Sequence, residues 1–268
     1  MFVGWIRDGF ETQIEGWEKS GVDTQLLLRS QALEPDLCYG AYDEKGALQG
    51  VIAALRMQRY ILIHTFVFPE EDAHTPKRLL QLLLTNLQPL EKTVLFMAQG
   101  REKEVFTHEG FASYAAFDKR FYKGKAIAFN FTPAHEKSIN NENYRQVLQN
   151  LDRAIFGSQR GEFLQEVLER NTSLHLSTDL GYQHSCAIGG GIRLGPWLMY
   201  QDSFMDAERL LRGLLHYRGL KKIVAFTPKG VGEIEELYDK YAFEKKQSCE
   251  LLYLGEKPKI NLEGVYAF

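Results

Sequence analysis

The chain has 268 residues, 44% of them hydrophobic and 25% charged, enough apolar material for a packed core and incompatible with wholesale disorder. Its 32 basic and 35 acidic residues leave a net charge of −3, so no cationic excess drives nucleic-acid binding by phosphate neutralisation. No run of about 18 uninterrupted apolar residues is present, and no membrane-spanning helix is expected.

Cys38, Cys186 and Cys249 are far apart, odd in number and without metal-ligand spacing. The seven histidines show no metal-type pair either, so neither a disulfide framework nor a metal site is expected. The opening residues lack the basic start and apolar core of a signal peptide, which makes the cytoplasm the expected location.

In chain order, Leu37 to Leu55 holds two strand-like runs around Asp43-Glu44-Lys45-Gly46, a turn signal that predicts a hairpin. Tyr60 to Phe68 reads as a further strand. Arg78 to Leu90 has helical apolar spacing, Val94 to Ala98 reads as a buried strand, Glu104 to Phe111 as a helix and its turn, and Arg120 to Gly124 as a closing strand. The polar stretch 129–143 reads as a linker between 1–128 and 144–268. After it come a helix at Arg160 to Arg170, strands in 172–178 and 184–200, a helix at Asp206 to Tyr217, a strand at Lys222 to Phe226, a helix at Glu236 to Phe243 and a strand at Leu251 to Gly255. Phe111 and Phe243 lie 132 positions apart, and Gly124 and Gly255 lie 131 apart. Four ordered elements at a near-constant offset point to a duplication. Each half is expected to be an α/β unit of the α+β kind, with a mixed sheet.

Several stretches carry a resemblance to a known family. Glu15-Gly16-Trp17 with Asp23, Phe66 to Glu71, the THEGF and RFYKG segments, Leu151 to Leu164, Leu194 to Leu198 and the final Gly264 to Phe268 resemble the GNAT superfamily of acyl-CoA-dependent N-acyltransferases. More narrowly, they resemble bacterial proteins with two such domains in tandem. The resemblance implies acetyl-CoA as co-substrate and a primary amine of a small molecule or peptide as acceptor. A homodimer is one assembly it allows.

The family lays the pantetheine arm along a splayed strand and holds the pyrophosphate on backbone N–H groups at a helix N-terminus, where the dipole favours an anion. In the first half this corresponds to Phe66, Val67 and Phe68 on the strand, and to Ala73, His74, Thr75, Lys77 and Arg78 at the helix start. The family's loop glycines are replaced there by Ala73, Thr75 and Lys77. Thr75 is placed to cap the helix, and His74, Lys77 and Arg78 supply charge in place of the missing donors. The second half has no glycine in the corresponding stretch and carries Asp202 and Asp206, so it is the poorer cofactor holder. A tyrosine four residues before the Gly-Phe turn is the family's usual acid for the leaving thiolate. Phe106 stands there in the first half and Tyr238 in the second. His64 on the first splayed strand is a candidate base for the amine. Because the better loop and the tyrosine fall in different halves, a non-catalytic tandem module for ligand binding or interaction is the competing expectation.

Overall fold

The computed structural model describes residues 1–69, 72, 74–88, 91–125, 136, 139 and 144–268, residue 162 by its backbone alone. Among the described residues there are twelve strands and eight α-helices, with mixed parallel and antiparallel pairing. The chain divides into two compact units, 1–114 with 250–258, and 115–249 with 259–268. The stretch expected to be a linker, 129–143, lies outside the described residues except for Glu136 and Ile139.

In the first unit, β1 (Phe2–Trp5) pairs antiparallel with β2 (Cys38–Tyr42), which pairs with β3 (Leu48–Arg56). The turn between β2 and β3 is the hairpin read from the sequence. Asp43 Oδ1 accepts the amides of Lys45 and Ala47, each at 2.9 Å, and Gly46 supplies φ +81°. β3 pairs antiparallel with β4 (Tyr60–Val67), and β4 runs parallel to β5 (Thr93–Ala98). The crossover between them carries α3 (Thr75–Asn86); α1 (Phe10–Gln13) and α2 (Thr24–Leu33) precede β2. Helix α2 starts on Asp23, whose carboxylate accepts the Leu26 amide at 3.1 Å. One apolar cluster joins Leu79, Leu80 and Leu83 of α3 to Ile52, Ile61, Ile63 and Phe96 of the sheet. After α4 (Arg101–His108) comes β6 (Ala112–Tyr122). The strand hydrogen-bonded to the far edge of β5 is the last part of β11 (Glu244–Leu254), with Glu250 opposite Ala98 and Leu254 opposite Val94.

The second unit repeats the plan. Helices α5 (Tyr144–Phe156) and α6 (Gly161–Leu168) precede β7 (Leu174–Thr178), β8 (Gly181–Ile188) and β9 (Gly191–Met199), an antiparallel meander. Gly189 and Gly190, both at positive φ, make the turn into β9. Then α7 (Phe204–Arg218) leads to β10 (Ile223–Pro228), parallel to β9 and antiparallel to β6, and α8 (Gly232–Lys240) leads to β11. A last short strand, β12 (Val265–Ala267), pairs antiparallel with β9. It was not expected from the sequence, and neither was β1: both are too short to show a two-residue period.

Candidate functional site

In the first unit, β4 and β5 are paired only from Tyr60–Thr93 to Ile63–Phe96, although β4 runs on to Val67 and β5 to Ala98. Beyond that point they diverge, and among the described residues no strand enters the gap. The divergence starts where β4 bulges. Ala54 faces Ile63 and Ala53 faces Thr65, which leaves His64 as the extra residue. Its Nε2 lies 2.8 Å from Ser30 Oγ and its Nδ1 2.9 Å from Thr65 Oγ1. Ser30 already donates to the Leu26 carbonyl, so it accepts from His64 Nε2–H, and Thr65 donates to Nδ1. Both ring nitrogens of the candidate base are therefore engaged in this geometry.

The strand candidates separate. Phe66 turns inward, edge-on to Phe96 and Phe106, with centroids at 5.9 and 5.1 Å. Val67 pairs with Val51 of β3, and Phe68 packs against Phe66 at 5.0 Å. Phe106, fully buried and stacked on Phe96 at 4.1 Å, fills the place of the family tyrosine with an apolar ring.

The start of α3 differs from the expectation. Thr75 is the first helical residue and not the cap. The acceptor is Asp72, whose Oδ1 takes the amides of His74 at 2.8 Å and Thr75 at 3.0 Å, while Oδ2 accepts the Thr75 hydroxyl. These bonds, the Thr75 hydroxyl first, hold the Asp72 carboxyl down at about 2. Asp-x-x-Thr before a helix was a signal available in the sequence, since aspartate is among the preferred capping residues. Of the charged candidates, Lys77 lies 3.6 Å from Glu109 and Arg78 donates to the Met1 carbonyl at 2.9 Å. Ala73 lies outside the described residues.

In the second unit, the matching parallel pair is β9 and β10, joined only at Ile223–Ile192 and Val224–Arg193. Here the gap beyond is filled. Val265 faces Leu198 and Ala267 faces Trp197 on β9, while the Phe268 amide donates to the Phe226 carbonyl of β10 at 2.9 Å. Tyr238 is fully buried, and its hydroxyl donates to the Tyr266 carbonyl at 3.0 Å. Burial drives its phenol well above the ordinary value, against a smaller opposite pull from the Arg120 guanidinium. The Ser203 hydroxyl at the start of α7 donates to Tyr200 O at 2.5 Å and does not cap the helix, and Asp206 in the first turn pairs with Arg209 at 3.2 Å.

His184, on β8, is fully buried. Its Nδ1 lies 2.9 Å from the Gly195 carbonyl and its Nε2 2.9 Å from Ser173 Oγ. The carbonyl has only lone pairs to offer, so the proton sits on Nδ1 and Ser173 donates to Nε2. No group of three or more His, Cys, Asp or Glu among the described residues is placed to hold a metal, and none of the described helices is long and apolar enough to cross a membrane.

Comparison with known proteins agrees with this geometry. Residues 148–267 match the acetyltransferase (GNAT) domain family. A candidate acetyltransferase from Pyrococcus horikoshii superposes with a TM-score of 0.77 at 15% identity, over 100% of this chain and 93% of that one. Saccharomyces cerevisiae N-myristoyltransferase, solved with bound myristoyl-CoA and inhibitors, gives a TM-score of 0.63 at 9% identity over 100% and 86% of the two chains. A tandem GNAT protein from the clavulanic acid biosynthesis pathway gives 0.61 at 9% identity over 94% and 98%. No curated protein matches the sequence. The GNAT resemblance read from the sequence thus holds: residues 148–267 match the GNAT acetyltransferase domain model, and the fold is the one shared by GNAT-type structures, tandem ones included.

Proposed function

We propose that the chain is an acyl-CoA-dependent N-acyltransferase that moves an acetyl group from acetyl-CoA to a primary amine of a small molecule or peptide in the cytoplasm, and that the first unit holds the acetyl-CoA. The observation that carries this reading is the gap beyond Ile63–Phe96, where β4 and β5 separate and, among the described residues, no strand lies between them. A gap of that form offers a strand edge to the amides of a pantetheine arm. At its end stands the N-terminus of α3, with the amides of His74 and Thr75 pointing at an acidic oxygen, the contact a pyrophosphate would use. The fit holds with one condition: the Asp72 carboxylate has to leave those amides for a phosphate to take them.

Bound acyl-CoA supplies a thioester carbon open to attack by an amine. The chain's part is to bring the amine and that carbon together and to aim strand N–H groups at the developing oxyanion. Phe106 has no proton to give, so this reading leaves protonation of the leaving thiolate to water, and it assigns no proton transfer to His64 or Tyr238.

Phe106 and Asp72 favour a second reading, a tandem module that binds a ligand without transfer. Calorimetric titration with acetyl-CoA, followed by release of free CoA thiol across an amine panel, separates the two. One bound acetyl-CoA per chain with turnover on some amine supports the enzyme. Binding without turnover on any amine supports the module, and absence of binding defeats the assignment to the first unit.

A further inference from the structure

We infer that the cleft between β9 and β10 of the second unit is a site for an extended peptide strand, that residues 265–268 are its occupant, and that this unit consequently takes no acyl-CoA. The observations are geometric. Beyond Ile223–Ile192 and Val224–Arg193 the two parallel strands separate, as β4 and β5 do in the first unit. Segment 265–268 bonds to both walls of the opening: β9 through the Val265–Leu198 and Ala267–Trp197 pairs, and β10 through the Phe268 amide on Phe226 O at 2.9 Å. A pantetheine arm is a chain of amides, and a peptide offers the same donors and acceptors, so the two compete for one strand edge.

The surroundings are built for the peptide. Gly195, at φ +139°, stands where a Cβ would lie 2.5 Å from the Phe268 carbonyl oxygen, so only glycine admits that approach. Gly264 leads into the strand with equally little room, 2.8 Å from both Met199 O and Ile155 Cδ1 for a Cβ. Tyr238 closes the third side by donating to Tyr266 O at 3.0 Å, and the Tyr266 hydroxyl donates to Glu233 on the same helix. Val265, Tyr266 and Ala267 are at most 2% exposed. The tyrosine whose place matches the family's acid is thus an anchor for a peptide carbonyl.

Amide hydrogen exchange on the full chain, with and without saturating acetyl-CoA, tests this directly. Protection at residues 265–268 and along Trp197 and Leu198 is expected to stay unchanged. Loss of protection at 265–268 with new protection along 192–199 would overturn the inference. A chain ended after Lys259 is then titrated with a synthetic peptide of residues 260–268. Saturable binding that restores the wild-type melting temperature, with a scrambled peptide inert, is the expected result, and no binding to a folded truncated chain would sink the idea. If the truncated chain does not fold, Tyr238→Phe in the full chain decides: losing one hydrogen bond should speed exchange at Tyr266 and Ala267 by about fivefold, and an unchanged rate would count against the anchor. Absence of acetyl-CoA binding anywhere in the chain would defeat the first-unit reading and leave this inference standing.

Discussion

The Asp72 carboxylate accepts the Thr75 amide at 3.0 Å and takes the Thr75 hydroxyl on its other oxygen. A fixed negative charge therefore already sits on the positive end of α3. The carboxyl is held at about 2, below its unfolded value, so the cap contributes stability above the unfolded pKa and loses it as pH falls toward 2. Replacing Asp72 with alanine is expected to have two opposite effects. The helix loses its cap, at a cost of about 1 kcal/mol in melting experiments. Acetyl-CoA affinity rises roughly two- to fivefold, because a competing anion is gone from the dipole end. Calorimetry that finds affinity unchanged or weaker would remove α3 from the cofactor site.

The buried His184 sets an acid limit on stability. It is held neutral at about 3 by burial, while the unfolded side chain titrates near 6.5. Between those values the unfolded chain binds a proton that the folded chain does not, so stability rises with pH across this window and falls on acidification. The expected slope from this residue is about 1.4 kcal/mol per pH unit. Urea melts of wild type and His184→Asn from pH 4 to 7 measure it. The variant should start less stable at pH 7 and show a flatter acid limb, and parallel limbs would show that other groups dominate.

Tyr238→Phe distinguishes an anchor from an acid in turnover. An anchor loses one buried hydrogen bond, about 1 kcal/mol of stability, with acetyl transfer unchanged. A proton donor would lose roughly 10²-fold or more in turnover with little change in melting. The first outcome is expected, since the hydroxyl is spent on Tyr266 O.

Two helix ends close in the same way. The Phe111 amide bonds to Phe106 O at 3.1 Å, and the Phe243 amide bonds to Tyr238 O at 3.0 Å. The residue before each phenylalanine takes the left-handed conformation, Gly110 at φ +90° and Ala242 at φ +58°. Alanine is strained there, so Ala242→Gly is expected to raise stability by about 0.5 kcal/mol after the extra unfolded-state entropy of glycine is counted. Gly110→Ala should lower it by about 1 kcal/mol. Thermal melts that rank the two the other way would contradict the cap assignment.

Much of the framework was legible because it rests on local patterning. The helical spacing in Arg78 to Leu90 became α3, Thr75–Asn86, and the apolar run at Lys222 to Phe226 became β10, Ile223–Pro228. The Phe111 and Phe243 turns repeat because both sequences supply a small residue before an aromatic one. What the sequence hid was non-local. That residues 265–268 lie between β9 and β10 depends on two glycines in different segments and on a tyrosine in α8. The orientation of His64 depends on Ser30, 34 positions away. The Asp72 cap is local, an aspartate three residues ahead of Thr75, whereas a threonine at the helix start is an equally ordinary capping signal, and only the observed bonds separate them.

The pairing of β5 with residues 250–254 also has a temporal side. Strand β5 is made by residue 98, but the segment that covers its outer edge emerges only after about 150 more residues have been added. At synthesis rates of about 5–20 residues per second, that edge waits on the order of ten seconds on the ribosome. Throughout the wait its unpaired N–H and C=O groups can template a neighbouring nascent chain. Slowing synthesis over residues 100–250, with synonymous codons and an unchanged protein, should therefore increase aggregation, and a burdened chaperone system should increase it further.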